Sequence, residues 1–301
     1  MIMTKEIEEK LSRIRKLMEE ERLDAVLLTL TPNFFWVTGG KSGFAAVKIL
    51  GDKENAYVIC NSSEQFRVME EELVDGSFEL ISYLWHEDES ERLKPYLQGK
   101  RAGSDSGIYG TINIADKIQK LRYTLTAEEE KRMREIGLEC AQILEESVKQ
   151  IVPGETELEV AGNVTGKLMA KGYQVPVCLV ASDDRMYKYR HPIPTEKMIE
   201  KYAMVAICGQ KYGLTISMSR IISFEPLTQE LQNRYDALLK IDATYILNTK
   251  AGVLSREILE KAHAVYEAEG YEKDFHLHHQ GGALGYLTRD YCTNERSTEC
   301  V

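Results

Sequence analysis

Residues 126–159 read TAEEEKRMREIGLECAQILEESVKQIVPGETELE, and this stretch decides the fold. It opens on Thr126-Ala-Glu-Glu129, a capping box in which threonine and a glutamate three residues later satisfy two free amide donors. Apolar residues then recur three or four positions apart, which predicts a long amphipathic helix ending at Pro153-Gly154. Thr156-Glu-Leu-Glu159 repeats the capping box and predicts a second helix to about Lys171. Two capped helices in succession indicate the start of a separate domain.

Toward the C-terminus the pattern alternates between strands and helices before it reaches a histidine-rich glycine segment, Phe275 to Tyr286. Short apolar runs predict strands, and longer stretches of helical periodicity predict helices. The predicted strands are 174–181, 202–208 and 214–222, and the predicted helices are 228–249 and 255–269.

The N-terminal part also alternates between the two element types, which predicts a first α/β domain. We expect a helix near 5–21, a buried strand at 24–29, a turn at Thr31-Pro-Asn33, paired strands, a helix and a last strand. The paired strands are Ala45–Leu50 and Asn55–Cys60, the helix is 62–75, and the last strand is 78–83. The predicted domains are therefore 1–122 and 123–301.

The composition excludes several classes of protein. The 301 residues carry a formal net charge of −10, which argues against non-specific nucleic-acid binding because phosphate contacts need clustered Lys and Arg. The longest apolar runs fall short of the roughly 18–20 residues of a membrane span. Six scattered cysteines without a CxxC pair indicate reduced thiols. We expect a soluble cytoplasmic protein with neither nucleic-acid nor membrane partners.

Four of the six histidines fall in two places, His191 in one loop and His276, His278 and His279 in the glycine segment. Glycines allow close backbone approach to a ligand, and imidazoles exchange protons near neutral pH. A tight loop whose histidines bond to carbonyl groups explains the spacing equally well. Because His278 and His279 are adjacent, an extended segment would point them to opposite faces, so we expect at most one in a given pocket.

Other polar side chains have two interpretations. Arg220 shares one face of a predicted strand with Leu214, Ile216 and Met218, and a charge on that apolar face needs a partner or an anionic ligand. It could equally reach solvent or a surface carboxylate. Tyr189 could line a polar pocket or stand on an exposed loop. His263 resembles a surface residue of an amphipathic helix, and we assign it no role.

The ordered motifs resemble the creatinase/Xaa-Pro aminopeptidase superfamily over nearly the whole chain. The resemblance implies an α/β (α+β) fold, with a creatinase-like N-terminal α/β domain followed by a pita-bread α/β domain. The second domain reads as C-terminally incomplete, with the last strands of the fold missing. The motifs are Leu23–Thr29, Pro32-Asn33, Thr38-Gly39, Thr126–Glu129, Val152–Glu157, His191-Pro192, Gly213–Arg220, Lys250–Val253, Glu269–Tyr271 and the glycine segment.

The resemblance also implies a metal site, and here the match fails. The peptidases of this superfamily hold two divalent metals with two Asp, one His and two Glu. The positions matched to the two Asp and the His are occupied by Ile207, Ser217 and Gly282. The two Glu would lie beyond residue 301. We therefore predict no metal ligands and expect no cofactor, with two divalent metals such as Mn or Co only if the protein is a conventional peptidase.

Three functions follow from the resemblance. The first is a metal-independent hydrolase acting on a small carboxylated, peptide-like or amidino substrate. Its main acid/base would be His278 assisted by His191, with Arg220, His279 and Tyr189 binding the substrate. The second is a conventional di-metal Xaa-Pro aminopeptidase or dipeptidase. The third is a non-catalytic binding or interaction protein, and in every case a homodimer is expected.

Overall fold

The computed structural model describes residues 4–44 and 47–301. Helices alternate with strands along the described chain, which confirms the predicted α/β class. The described residues form two compact units. The first unit is the chain up to Glu139 with residues 210–216 and 285–288, and the second is residues 140–209, 217–284 and 289–301.

The first unit is built around a six-stranded sheet, counted over the described residues, in the order β4-β3-β2-β1-β5-β6. Strands β1, β2 and β3 pair antiparallel, whereas β4 on β3, β5 on β1, and β6 on β5 pair parallel. The elements are α1 (Lys5–Glu21), β1 (Ala25–Leu28), α2 (Thr31–Val37), β2 (Lys48–Asp52), β3 (Ala56–Asn61), α3 (Gln65–Arg67), a π-helical turn (Val68–Glu72), β4 (Glu79–Tyr83), α4 (Glu89–Leu97), β5 (Ala102–Ser104), β6 (Ile112–Asn113) and α5 (Ala115–Leu121).

Three local predictions for this unit need correction. The turn predicted at Thr31-Pro-Asn33 is the first turn of α2, since proline is tolerated where a backbone N–H would have no acceptor within the helix. The helix predicted over 62–75 is shorter and changes from α to π geometry after Arg67. The strand predicted at Ala45–Leu50 begins at Lys48, and residues 45 and 46 of that prediction lie outside the described residues.

The remaining elements include a three-stranded sheet of order β7-β8-β9 and a two-residue strand pair, β10 with β11. Within residues 4–44 and 47–301, no helix is both long and apolar enough to cross a bilayer. The elements are α6 (Ala127–Lys149), α7 (Glu157–Ala170), β7 (Gln174–Ser182), α8 (Arg185–Lys188), β8 (Tyr202–Lys211), β9 (Leu214–Ser223), α9 (Gln229–Asn248), α10 (Ser255–Ala268), α11 (Glu272–Phe275), β10 (Gly282–Ala283) and β11 (Tyr291–Cys292).

Both predicted capping boxes are confirmed. The Thr126 amide donates to Glu129 Oε2 at 2.7 Å, and the Glu129 amide donates to Thr126 Oγ1 at 3.3 Å. The same reciprocal pair joins Thr156 and Glu159 at the start of α7. The capping residues therefore fix where α6 and α7 begin, as local hydrogen bonding predicts.

A buried charge cluster lies in the first unit, and we call it the Lys10 cluster: Glu6, Lys10, Glu129, Arg132 and Tyr286. The fully buried Lys10 ammonium lies 2.5 Å from Glu6 and 2.8 Å from Glu129. Arg132 donates to both carboxylate oxygens of Glu6, and the Tyr286 hydroxyl donates to Glu129. Burial and the Glu129 charge raise the pKa of Tyr286 well above 10, so its phenol stays protonated.

Candidate active site

A cavity of about 590 Å³ in the second unit collects the histidines of the glycine segment. His276, His278 and His279 all line it, and the rings of the last two lie 3.9 Å apart. The expectation that at most one of His278 and His279 faces a given pocket is wrong. It assumed an extended segment, whereas this segment leaves α11 as a tight turn in which neighbouring side chains share a side. The polar lining residues include His276, His278, His279, Asn294, Glu295 and Arg296.

Gln280 holds this turn together. Its amide nitrogen donates to the carbonyl oxygens of Phe275 at 2.9 Å and His278 at 3.0 Å. Its own oxygen accepts from the Tyr266 hydroxyl of α10 at 2.9 Å. Two of these bonds satisfy backbone carbonyl groups and the third links the Gln280 side chain to α10, so together they fix the turn that carries His276 and His278.

The tautomer of His278 follows from its hydrogen bond. Its Nδ1 lies 2.6 Å from the His279 carbonyl oxygen, which can only accept. Nδ1 therefore carries the proton, and in the neutral ring Nε2 holds the lone pair. This arrangement leaves Nε2 able to take a proton from a substrate or a water molecule.

His191 lies beside His278, with ring centroids 5.0 Å apart at an angle of 63°. The two predicted catalytic histidines are therefore neighbours, although His191 itself is exposed. The other residue predicted in this loop, Tyr189, is also exposed and stacks under the Arg185 guanidinium at 5.1 Å. Their predicted roles stay predictions.

A buried carboxylate secures the loop that carries Tyr189 and His191. Glu157 is fully buried at the start of α7. One of its oxygens accepts from the amide and hydroxyl of Ser182 and from Nε of Arg185, and the other accepts from the amide and hydroxyl of Thr195. Five donors to one carboxylate stabilise its charge and hold both ends of the loop.

His279 is the cavity histidine with a shifted proton affinity. Its pKa is lowered from the ordinary 6.5, first by burial and then by the neighbouring charges of His278, Arg289 and His191. Each of these disfavours the imidazolium. At neutral pH the ring is therefore neutral and can donate or accept a hydrogen bond.

Arg220 is placed away from the residues that line this cavity in the described chain. Its guanidinium donates to Glu145 of α6 at 2.8 Å, and it lowers the pKa of that carboxyl by the same hydrogen bond. This is the surface-carboxylate alternative considered for Arg220.

The cation at the cavity is Arg296, whose guanidinium forms no ion pair with another described residue. No sequence pattern points to Arg296, because it is one of several charged residues in a C-terminal segment rich in Asn, Glu, Arg and Ser.

The three positions matched to metal ligands have unsuitable chemistry in the structure. Ile207 is 1% exposed and has no donor atom, and Ser217 is exposed and offers one neutral hydroxyl. Gly282 has φ +147°, and a Cβ placed on it would lie 2.0 Å from the carbonyl oxygen of Tyr291. The pairing of β10 with β11 thus excludes any side chain at residue 282 in this backbone conformation.

Comparison with known proteins places the chain in a family. Residues 131–295 match metallopeptidase family M24, and residues 10–136 match the creatinase/prolidase N-terminal domain. The chain belongs to metallopeptidase family M24. The resemblance drawn from the sequence motifs is thereby confirmed, with a creatinase-like N-terminal domain followed by an M24 domain.

Individual members are distant but cover most of the chain. An uncharacterized peptidase of Bacillus subtilis is 24% identical over 92% of this chain and 82% of its own length. A Xaa-Pro dipeptidase of Pyrococcus furiosus is 22% identical over 93% of this chain and 82% of its own length. The solved structure of a Xaa-Pro dipeptidase from Bacillus anthracis superimposes with a TM-score of 0.83 at 20% identity, covering 98% and 87%. The pita-bread fold is therefore shared.

Membership in M24 corrects the cofactor prediction, yet the residues at the matched metal-ligand positions do not suit a metal pair. The expectation of no cofactor is wrong for a chain that belongs to a metallopeptidase family. Dication pairs in such sites are held by carboxylate oxygens and imidazole nitrogens. The residues at positions 207, 217 and 282 do not fit such a pair, because together they supply one hydroxyl and no anionic oxygen.

Proposed function

We propose that this protein is a Xaa-Pro peptidase-type hydrolase that binds a short peptide in the histidine-lined cavity of its second unit. The observation that carries the proposal is the convergence of His276, His278, His279 and Arg296 on one space of about 590 Å³. That volume lies within the usual range for small-ligand pockets, roughly 300–1,000 Å³. The family and the peptidase names of its relatives support the reaction class.

His278 is the acid/base residue of the proposed reaction. Its Nε2 takes a proton from a water molecule as the water oxygen attacks the carbonyl carbon of the peptide bond. The C–N bond then breaks, and the proton passes from the imidazolium to the leaving nitrogen. His191, with its ring 5.0 Å away, and neutral His279 orient the reacting groups.

Arg296 binds the carboxylate of the substrate. It is exposed at the cavity and forms no ion pair with another described side chain, so its five N–H donors remain available. A guanidinium pairs with a carboxylate through two parallel hydrogen bonds, which suits the free C-terminus of a dipeptide. The neighbouring Glu295 also lines the cavity and suits the substrate ammonium group.

Kinetics on a dipeptide panel test this function. Xaa-Pro dipeptides and their C-terminal amides are assayed with Mn²⁺, Co²⁺ or Zn²⁺ and with chelator, using wild type, His278→Gln, Arg296→Gln and the control His86→Gln. We expect His278→Gln to lower kcat by about 10²–10⁴-fold, the usual contribution of a general acid/base. Arg296→Gln raises KM for free dipeptides but leaves amides unaffected. His86 is exposed in the first unit, so its variant behaves as wild type.

Two results would contradict the proposal. Binding of peptides without turnover under every metal condition would identify a peptide-binding protein instead of a hydrolase. Turnover that His278→Gln leaves unchanged would place the chemistry elsewhere in the chain.

We further propose a cytoplasmic homodimer, as the resemblance implies. The six cysteines support a reducing compartment, because all are free thiols. Light scattering that gives the mass of one chain at working concentration would refute the dimer.

A further inference from the structure

Three side chains with metal-binding groups converge at the end of α10, outside the positions that the family uses. His263 lies on α10, Glu272 begins α11, and His276 directly follows α11. One donor atom of each lies within 4.8 Å of the other two. Ile207, Ser217 and Gly282 contribute nothing to this group.

Local structure explains why the three meet. Glu272 and His276 are four residues apart across one helical turn, which puts them on the same face. Phe275 stacks on the His263 ring at 4.0 Å and 18°, and the His276 ring lies 5.5 Å from the His263 ring. The aromatic stack therefore fixes α11 against α10 with both imidazoles on one side.

His263 carries an unsatisfied nitrogen. Its Nε2 is buried and has no hydrogen-bond partner among the described residues, with the Glu267 carboxylate 3.9 Å away. Buried imidazole nitrogens are ordinarily paired, so an unpaired one calls for an explanation. Ligation of this nitrogen by a metal ion is one such explanation, since neutral imidazole nitrogens are common metal ligands.

We propose that His263, Glu272 and His276 bind a single zinc ion. Two imidazoles and one carboxylate are the ligand set of three-ligand zinc sites, which keep a fourth position for water or substrate. Nitrogen donors favour Zn²⁺ or Co²⁺ over Mg²⁺ and Ca²⁺. Neighbouring ligands of a tetrahedral zinc at about 2.0–2.1 Å lie about 3.4 Å apart, so the donor atoms need to approach one another by at most about 1.4 Å. Glu272 and His276 are exposed, and rotation of these side chains supplies that movement.

The zinc site adjoins the cavity, because His276 belongs to both. A bound ion ties α11 to α10 and so fixes the start of the turn that carries His278 and His279. This inference concerns metal binding and does not depend on the proposed hydrolase activity.

Titration of tag-free, chelator-treated protein with Zn²⁺ alone tests the site by calorimetry, without substrate. Wild type is compared with His263→Asn, Glu272→Gln and His276→Asn, and the matched control is His86→Asn. Titration with Co²⁺ gives a second reading, since tetrahedral Co²⁺ absorbs visible light strongly.

We expect one Zn²⁺ per chain in wild type and in the control, and affinity at least tenfold weaker in each of the three variants. Zinc should raise the Tm of wild type but not of the variants, since a ligand that binds only the folded state stabilises it. If His263→Asn fails to fold, zinc binding by the variants at the two exposed positions, Glu272→Gln and His276→Asn, decides the test. The proposal would be overturned if wild type bound no zinc. It would also be overturned if Glu272→Gln and His276→Asn bound zinc as tightly as wild type does.

Discussion

Replacing Lys10 with methionine tests the buried charge cluster of the first unit. The Lys10 ammonium is wholly buried between the carboxylates of Glu6 and Glu129, at 2.5 and 2.8 Å. With Arg132 as the second cation, two positive and two negative groups give the cluster a formal charge of zero. Methionine keeps most of the apolar stem but removes one cation. The variant therefore buries one uncompensated negative charge.

The expected cost is about 3–4 kcal/mol of unfolding free energy at pH 7. Removing one partner of a buried ion pair costs about 3–5 kcal/mol, because the other charge remains without compensation. A carboxylate can escape that penalty by taking up a proton. Protonating an ordinary glutamate at pH 7 costs about 3.7 kcal/mol. The loss of unfolding free energy is therefore limited to about that value.

Urea unfolding followed by tryptophan fluorescence measures this loss. Both tryptophans, buried Trp36 and exposed Trp85, lie in the first unit, so the signal reports on the unit that contains Lys10. Lys16→Met is the matched control on α1. Lys16 is 78% exposed with a single 4.0 Å contact to Glu20, so we expect a change within about 0.5 kcal/mol.

The loss should also shrink as the pH falls. Burial by itself raises the pKa of Glu6, but the Arg132 hydrogen bond and the Lys10 charge outweigh it and hold the pKa below 4.5. A depressed carboxyl pKa contributes stability that is present above the unfolded value and is lost as the pH drops. Lys10→Met raises the pKa of Glu6, so wild type and variant converge toward pH 4. A loss below about 1 kcal/mol at pH 7 with an unchanged m-value, or a loss independent of pH, would refute the reasoning.

Two further predictions concern the second unit. Gly282→Ala should destabilise the protein by at least about 1–3 kcal/mol, the cost of a strained backbone, because its Cβ meets the Tyr291 carbonyl oxygen at 2.0 Å. Gly281→Ala is the matched control, since its nearest contact is an ordinary 3.6 Å, and equal Tm values for the two variants would contradict the prediction. His279 should titrate by NMR below 6.5 and move upward in His278→Asn, which removes a neighbouring charge. The stability tied to His279 is complete above pH 6.5 and is lost as the pH falls, and a measured pKa at or above 6.5 would contradict the assignment.

The sequence predicted most of the helices because their signals are local. Thr126, Glu129, Thr156 and Glu159 lie within three residues of their partners, so the capping boxes could be read directly. Local signals were less reliable at Thr31, where a turn-prone tripeptide starts a helix instead.

The sequence by itself determined the family, the order of capped helices and strands, and the gathering of histidines in one glycine segment. These depend on residue types and short spacings, which the chain carries whatever its surroundings. Only the tertiary structure decided that Arg220 pairs with Glu145 while Arg296 lines the cavity. The tertiary structure also places His263 beside Glu272 and His276. At residue 282 it leaves no room for a side chain, because the Tyr291 carbonyl oxygen lies where a Cβ would be. Such outcomes depend on contacts between segments distant in sequence, and no local spacing specifies which segments will meet.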